Sequence, residues 1–369
     1  MNIICDKTLL SAAIDGVSKA VTLRSTIPVL EGILLKAEGF QLTLTGYDLE
    51  IGIRTNLEIR SADSADFIVN SRIICEMVRK MPDDELLFEV SDDYMITLEC
   101  GVTSYNLNAI PADDYPELPG KDSSTEVKIS QPVLKSMIQQ TKFAASQLDI
   151  KPILKGELFE IENNTLTVAA IDGYRLAVRT EPISYEGELK FVVPAKNLDE
   201  VSKLLSDDEN EVCSLFLAKK HIIFQVGNYL VNSRLLEGEF HPYKSAIPST
   251  WTTEVVVDRV KLIRTLERCL LLINEKNPSP VRCMFDNGQI SIKCATRSLG
   301  KVHDEISADI NGTSMEIGFK CRFFLDPLKA VSDEKVKLQL GGSLLPMKII
   351  PLNGESYTYL VLPVRLPKE

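Results

Sequence analysis

One run of features returns three times along this chain at a spacing of about 124 residues, and that repeat limits the fold more than any other property. Each copy opens with a β-like stretch that runs into an amphipathic helix. The three openings are Ile4-Cys5-Asp6-Lys7-Thr8-Leu9-Leu10, Ile129-Ser130-Gln131-Pro132-Val133-Leu134 and Val257-Asp258-Arg259-Val260-Lys261-Leu262. Leu10, Leu134 and Leu262 correspond, and four residues on Ile14, Ile138 and Leu266 continue the same helical face. Asp6, Ser130 and Asp258 are the expected N-caps. A hairpin follows, with turns expected at Glu38-Gly39, Asn163-Asn164 and Asn287-Gly288, residue types that tolerate positive φ. A strand then runs directly into a second helix, with a basic residue at the same place each time: Arg72, Lys196 and Arg322. Closing strands are expected at Met95 to Leu98, Ile222 to Val226, Lys348 to Ile350 and Tyr359 to Leu362. Chance reproduces one such feature in many chains, but not four in one order at one spacing.

Helix, hairpin, strand–helix, strands is an α+β order, in which two helices lie on one face of antiparallel sheets. The 369 residues divide into domains 1–122, 123–249 and 250–369. The boundaries fall in Pro- and Asp-rich stretches, Pro111 to Ser124 and Pro242 to Thr252, which are rich in turn formers and poor in apolar periodicity.

The formal net charge of −11 excludes a conventional high-affinity DNA binder, because counterion release favours basic proteins. It leaves open a protein that holds DNA by enclosing it. The six expected helices (6–20, 72–81, 130–147, 195–205, 258–273 and 321–331) carry a net +7, so the rest carries −18. Basic residues often coat helices. The sharper reading is that the helices face one polyanion while the acidic sheets face solvent, beyond a Debye length of roughly 8 Å.

Eight cysteines are scattered without a CxxC pair, and three of them (Cys75, Cys269, Cys321) fall in helix starts or interiors. Buried free thiols in a reducing cytosol fit this better than disulfides or zinc. No run of about 18 apolar residues predicts a membrane span, and the first residues lack the basic region of a signal peptide. The expected location is the cytoplasm. No metal or cofactor is expected.

An enzyme reading lacks a site. There is no P-loop, GxGxxG or GxSxG, and the three histidines (His221, His241, His303) are far apart. Asp pairs at 83–84, 92–93, 113–114 and 207–208 invite a Mg²⁺-dependent nuclease reading, but each falls in an expected turn or loop. A three-domain protein-interaction scaffold that never encloses DNA is the other alternative.

The threefold repeat occurs together with Ile171-Asp172-Gly173-Tyr174-Arg175-Leu176-Ala177, with Asn232-Ser233-Arg234-Leu235-Leu236-Glu237-Gly238-Glu239-Phe240, and with Leu362-Pro363-Val364-Arg365-Leu366. In this combination the chain resembles, from end to end, the bacterial DNA polymerase III beta subunits, the DNA sliding clamps. The resemblance implies a non-catalytic processivity factor: a head-to-tail homodimer forming a six-domain ring around duplex DNA. It also implies a cleft between the second and third domains that takes short peptide motifs from the replicative polymerase, the clamp loader and repair proteins. Carried over residue by residue, that cleft uses Leu154, Gly173, Tyr174, Arg175, Leu176, Leu344, Leu360, Leu362, Pro363 and Arg365. The apolar walls admit the peptide, Gly173 lets its backbone approach, and Arg175 supplies a polar contact at the edge. The DNA-facing positions are Arg24, Arg72 and Lys196, and the dimer interface sets Tyr105 and Leu107 against Leu271 and Leu272 of the other copy. The chain departs from the family pattern at Ile171, at Phe240-His241-Pro242-Tyr243 and in the extra Pro367-Lys368-Glu369, which bear on the cleft rim.

Overall fold

The computed structural model describes residues 2–60, 64–82, 85–91, 93–121, 124–149, 151–274, 276 and 278–366. Asp83, Asp84, Asp92 and Pro367–Glu369, which figure in the sequence reading, lie outside the described residues. Among the described residues six α-helices form: α1 (Lys7–Val17), α2 (Ser71–Lys80), α3 (Gln131–Thr141), α4 (Ala195–Leu204), α5 (Arg259–Leu270) and α6 (Cys321–Ala330). Their net charge is again +7. Aspartate and asparagine caps fix three starts: Asp6 accepts from the Leu9 N–H at 2.9 Å, Asn70 from Ile73 at 3.2 Å and Asp258 from Lys261 at 2.8 Å. Each is worth about 1 kcal/mol.

The hairpin turns match their chemistry. Asn163, Asn164, Asn287 and Gly288 all take positive φ. The first turn sits one residue later than its sequence suggests, at Gly39-Phe40 between paired Glu38 and Gln41, because Gly39 (φ 58°) takes the first turn position. The repeat positions form the interior: Leu10, Leu134, Leu262, Ile14, Ile138, Leu266, Leu42, Leu166 and Ile290 are all at most 1% exposed.

The strands are antiparallel throughout, and they join the repeats by main-chain pairing. In a nine-stranded sheet Tyr229–Arg234, the last strand of the second repeat, pairs with Ile51–Glu58 of the first, with Ser233 opposite Ile51. In a twelve-stranded sheet Tyr357–Val361, the last strand of the third repeat, pairs with Arg175–Pro182 of the second, with Val361 opposite Arg175. The chain accordingly divides into two compact units, Met1–Leu134 with Glu200–Leu235 and Lys135–Asp199 with Leu236–Glu369, and the cut runs through the second repeat. Each seam lies inside one unit.

Among the described residues several strands pair on one side only, Thr125–Ser130 and Leu189–Pro194 among them, and two such edges stand where the seam pattern leaves a neighbour out. One is Thr103–Asn108, which has only Met95–Cys100 beside it in a four-stranded sheet. The other is the first part of Gly300–Gly312: residues 300–307 pair with Gln289–Thr296 on one side only.

Aromatic residues pin the chain in and beside the stretches where the sequence puts domain boundaries. Tyr115 is buried with its hydroxyl donating to the Thr45 carbonyl at 3.2 Å, and Phe240 and Tyr243 are each 4% exposed. Turn formers set the path of these segments, while single aromatic residues pin them. All eight thiols are free and seven are buried.

Glu157 is fully enclosed at the start of Gly156–Glu162, where the Thr141 hydroxyl donates to it and the Lys142–Asp199 ion pair lies nearby. Burial pushes its carboxyl from an ordinary 4.5 up to about 8. Its folded state therefore holds a proton that the unfolded chain releases as pH rises. Stability from this site is complete below about pH 4.5 and lost toward pH 8, at roughly 1.4 kcal/mol per pH unit at most. Glu157→Gln should flatten that limb of a urea-melt profile; a limb unchanged in the variant would show that another group causes it.

Candidate partner-binding cleft

The turn Ile171-Asp172-Gly173-Tyr174-Arg175 begins the site. Asp172 Oδ1 accepts from the Tyr174 N–H at 2.9 Å and the Arg175 N–H at 3.0 Å, and Gly173 adopts φ 90°. The chain is thereby reversed into Arg175–Pro182, the strand that forms the second seam. On that strand side chains alternate between faces.

One cross-strand row on one face runs Ile171, Leu176, Leu360, Lys348, Gln339. Leu176 and Leu360 are 2% exposed and belong to an apolar cluster with Leu158, Val178, Val192, Phe240 and Tyr243; Leu154 and Ile247 pack around it. The opposite face carries the larger core, which takes in Tyr359, Val361, Met347 and residues of α5 and α6. Leu154, Leu176 and Leu360 are thus brought together on the sheet face away from α5 and α6. Phe240 and Tyr243, which the sequence marks only as part of a departure bearing on the rim, join them together with Ile247, which it does not single out; their spacings of three and four carry the signal.

Arg175, expected to give a polar contact at the cleft edge, is engaged by acidic partners within the chain. As the neighbour of Leu176 it points to the other face, where it is 9% exposed. There its Nε donates to Asp172 at 2.9 Å, its Nη1 to Asp326 of α6, and its guanidinium lies 4.5 Å from the Phe323 ring centre. Tyr174 is half-exposed, its ring 5.7 Å from Phe323 and beneath the Lys320 ammonium at 4.3 Å.

The final segment is held by its backbone. The Leu362 N–H donates to the Tyr174 carbonyl at 2.9 Å and the Val364 N–H to Gly318 at 2.8 Å. A Cβ on Gly318 would lie 2.8 Å from the Val364 carbonyl oxygen, a backbone atom that cannot swing away, so glycine is required for this approach. Leu362 stays partly exposed, Pro363 follows it, and Arg365 lines a separate cavity of about 370 Å³ with Ile273, Pro280 and Phe323. Leu344 stands exposed in the turn closed by the Leu345 N–H to the Gly342 carbonyl.

Comparison with known proteins decides what this architecture belongs to. DNA polymerase III beta subunit families match in series: N-terminal domain at residues 1–119, central domain at 128–242 and C-terminal domain at 244–365. The beta sliding clamp of Halalkalibacterium halodurans is 32% identical over 99% of this chain and 100% of its own length. The chain belongs to the beta sliding clamp family, the DNA polymerase III beta subunits. The sliding clamp from Bacillus subtilis is 30% identical, covers all of both chains and superposes with a TM-score of 0.95. A sliding clamp from Pseudomonas aeruginosa, solved bound to griselimycin, is 28% identical over 99% of this chain and 100% of that one, with a TM-score of 0.93. The three repeats are therefore three clamp domains, and the beta sliding clamp is a non-catalytic processivity subunit of the polymerase.

Arg72 and Lys196 are exposed in the first turns of α2 and α4, and Arg24 is exposed beyond α1. Leu107 is nearly buried and Tyr105 half-buried on the unpaired strand Thr103–Asn108. Leu271, 78% exposed, and Leu272 end α5. The Asp pairs 113–114 and 207–208 lie exposed in turns and loops, and no cluster of metal-binding groups occurs among the described residues. Nor is any described helix long and apolar enough to cross a membrane.

The two neighbours on the seam strand should separate cleanly on mutation. Arg175→Met leaves Asp172 and Asp326 without their partner and should cost about 2–3 kcal/mol of stability, with peptide affinity at the cleft nearly unchanged. Leu176→Ala removes floor area and should weaken peptide binding about tenfold or more. Denaturant melts and fluorescence anisotropy read the two effects; equal losses of affinity would put Arg175 back in the site.

Proposed function

We propose that two copies of the chain close head to tail into a ring around duplex DNA, and that the Leu176–Leu360 cleft takes apolar peptide segments from the replicative polymerase, the clamp loader and repair proteins. The observation that carries the ring is the pair of edges at which the seam pattern lacks its neighbour. Each internal seam sets the last strand of one repeat on the hairpin strand of the repeat before it. The first repeat's last strand, Thr103–Asn108, has no such neighbour, and neither do residues 300–307 of the third. Advancing the seam register by the repeat places Leu107 opposite Gly300 of the partner copy and Tyr105 opposite its Val302. A head-to-tail contact of this kind makes a closed ring when the rotation fits. Leu271 and Leu272 belong to the same surface, since Thr265 and Arg268 of α5 bond to Asp304 on the open strand.

In this reading the domains divide at 1–122, 123–249 and 250–369, the ring works in the cytoplasm, and the cationic helices line its hole. Arg24, Arg72 and Lys196 then meet phosphates without reading sequence. The acidic remainder faces bulk solvent, where salt screens it from the lining. DNA is retained by enclosure, so few fixed contacts oppose sliding.

A proline within the ladder removes a donor and breaks pairing. Tyr105→Pro should convert the dimer, about twice the 41.1 kDa chain, to monomer in sedimentation at micromolar concentration, and Leu271→Ala with Leu272→Ala should weaken it. A wild-type chain that sediments as a monomer sinks the ring.

Reversing Arg24, Arg72 and Lys196 to Glu should leave the dimer intact yet lower retention on circular DNA several-fold, most of all at low salt. Linear DNA should slip from both proteins. Tight, salt-resistant binding to linear DNA would contradict enclosure.

A further inference from the structure

The side chains that point away from the helices differ in sign between the two edges of the proposed joint. On Thr103–Asn108, Tyr105 and Leu107 turn inward, so Ser104 and Asn106 turn outward. Glu99 stands opposite Ser104 on the strand behind, Met95–Cys100, and shares its outward face. The Ser104 hydroxyl donates to Glu99 Oε1 at 3.3 Å, which leans the carboxylate over the edge strand toward its open side. Among the described residues no cation pairs with it.

On Gly300–Gly312 the alternation is reversed in charge. Asp304 turns inward to Thr265 and Arg268 of α5, so Lys301 and His303 turn outward. Lys293 stands opposite His303 on the strand behind and is exposed like them. His303 is already engaged, with Ser291 at 3.0 Å and Glu305 at 3.3 Å. Lys293 and Lys301 meet no carboxylate among the described residues. One edge thus carries an uncommitted carboxylate, and the other two uncommitted ammonium groups.

We infer that Glu99 of one copy engages Lys301 and Lys293 of the other, forming an ion-pair group on the outward face of each joint. The assignment rests on the ring reading and on its register, in which Ser104 falls opposite His303 and Asn106 opposite Lys301. Strands lie about 4.8 Å apart and alternate residues of a strand about 6.8 Å, so Glu99 and Lys301 stand about 12 Å apart at Cα. Two long side chains close that span. Glu305, the other outward acid of the edge, opposes Val102 in this register and is held by His303.

Each chain supplies both ends, so one substitution enters the ring at both joints and its effect is squared. Glu99→Lys and Lys301→Glu should each weaken the dimer about tenfold, from about threefold at each joint. Glu99→Lys also takes the net charge of the chain from −11 to −9. That change alone would ease repulsion between copies, so net charge cannot cause the weakening. A ring made from one copy of each variant is matched throughout: the new lysine meets the new glutamate at one joint, and native Glu99 meets native Lys301 at the other. At a concentration where each variant alone sediments as a monomer, an equal mixture should therefore sediment as a dimer, which also shows that both are folded. About 1 M salt, where the Debye length is about 3 Å, should erase the difference between variants and wild type. A mixture no more dimeric than its components, or a Glu99→Lys dimer as tight as wild type, overturns the ion-pair group and leaves the ring standing. A wild-type chain that is itself monomeric removes the ring reading, and this joint with it.

Discussion

The structure depends on the backbone seam between repeats. The last strand of the second repeat and that of the third each take their outer ladder from the hairpin of the repeat before. Unpaired strand edges are templates for further pairing, and the chain uses this twice internally. The cut between compact units through the second repeat follows directly, because that repeat gives its last strand to the first and its hairpin to the third. A seam also makes a floor to which two repeats contribute, as Leu176 and Leu360 show.

The two seams are built alike yet only one presents an apolar floor, and particular residues decide which. The counterparts of Leu176 and Leu360 at the first seam are Gly52 and Asn232, which are near neighbours in register there as well. Gly52 offers no side chain, and the space is taken by Leu118, whose Cδ2 lies 2.1 Å from where a Cβ would stand. Asn232 donates to the Pro119 carbonyl at 3.0 Å. The chain's own segment thus fills the first seam. At the second the matching segment contributes Phe240 and Tyr243 as walls and leaves the leucines as a floor. Burying even one further leucine there is worth roughly 2 kcal/mol, enough to make a single anchor dominate a peptide's affinity.

Much of this was legible in the sequence. Periodicity fixes which leucines are interior, turn residues mark the hairpins, and aspartates mark helix starts, because each of these is set by neighbours a few residues away. The cleft leucines were legible only through resemblance. What escaped depends on strand phase and on distant partners. Arg175 and Leu176 are adjacent, and only the register of the seam says that one meets Asp326 and the other the cleft. Glu157 reads as a surface residue of an acidic chain, and nothing local announces that Thr141 and complete burial await it. Tyr115 and Tyr243 sit among prolines and polar residues, so a window average hides them.

The free edges differ in a way that bears on assembly. Thr103-Ser104-Tyr105-Asn106-Leu107-Asn108 contains neither a charge nor a proline, the two devices by which monomeric proteins keep an edge from pairing. Tyr105 and Leu107 also set an aromatic and an aliphatic side chain along it at the alternation of one face. The opposite edge, residues 300–307, is protected in the usual manner by Lys301, Asp304 and Glu305, and by His303. Two bare edges would pair promiscuously, and two charged ones would not pair at all. A bare edge matched by a charged one favours the head-to-tail contact over the self-pairing of either, so closure of two copies, as proposed above, would satisfy both of these edges at once and leave neither for a third.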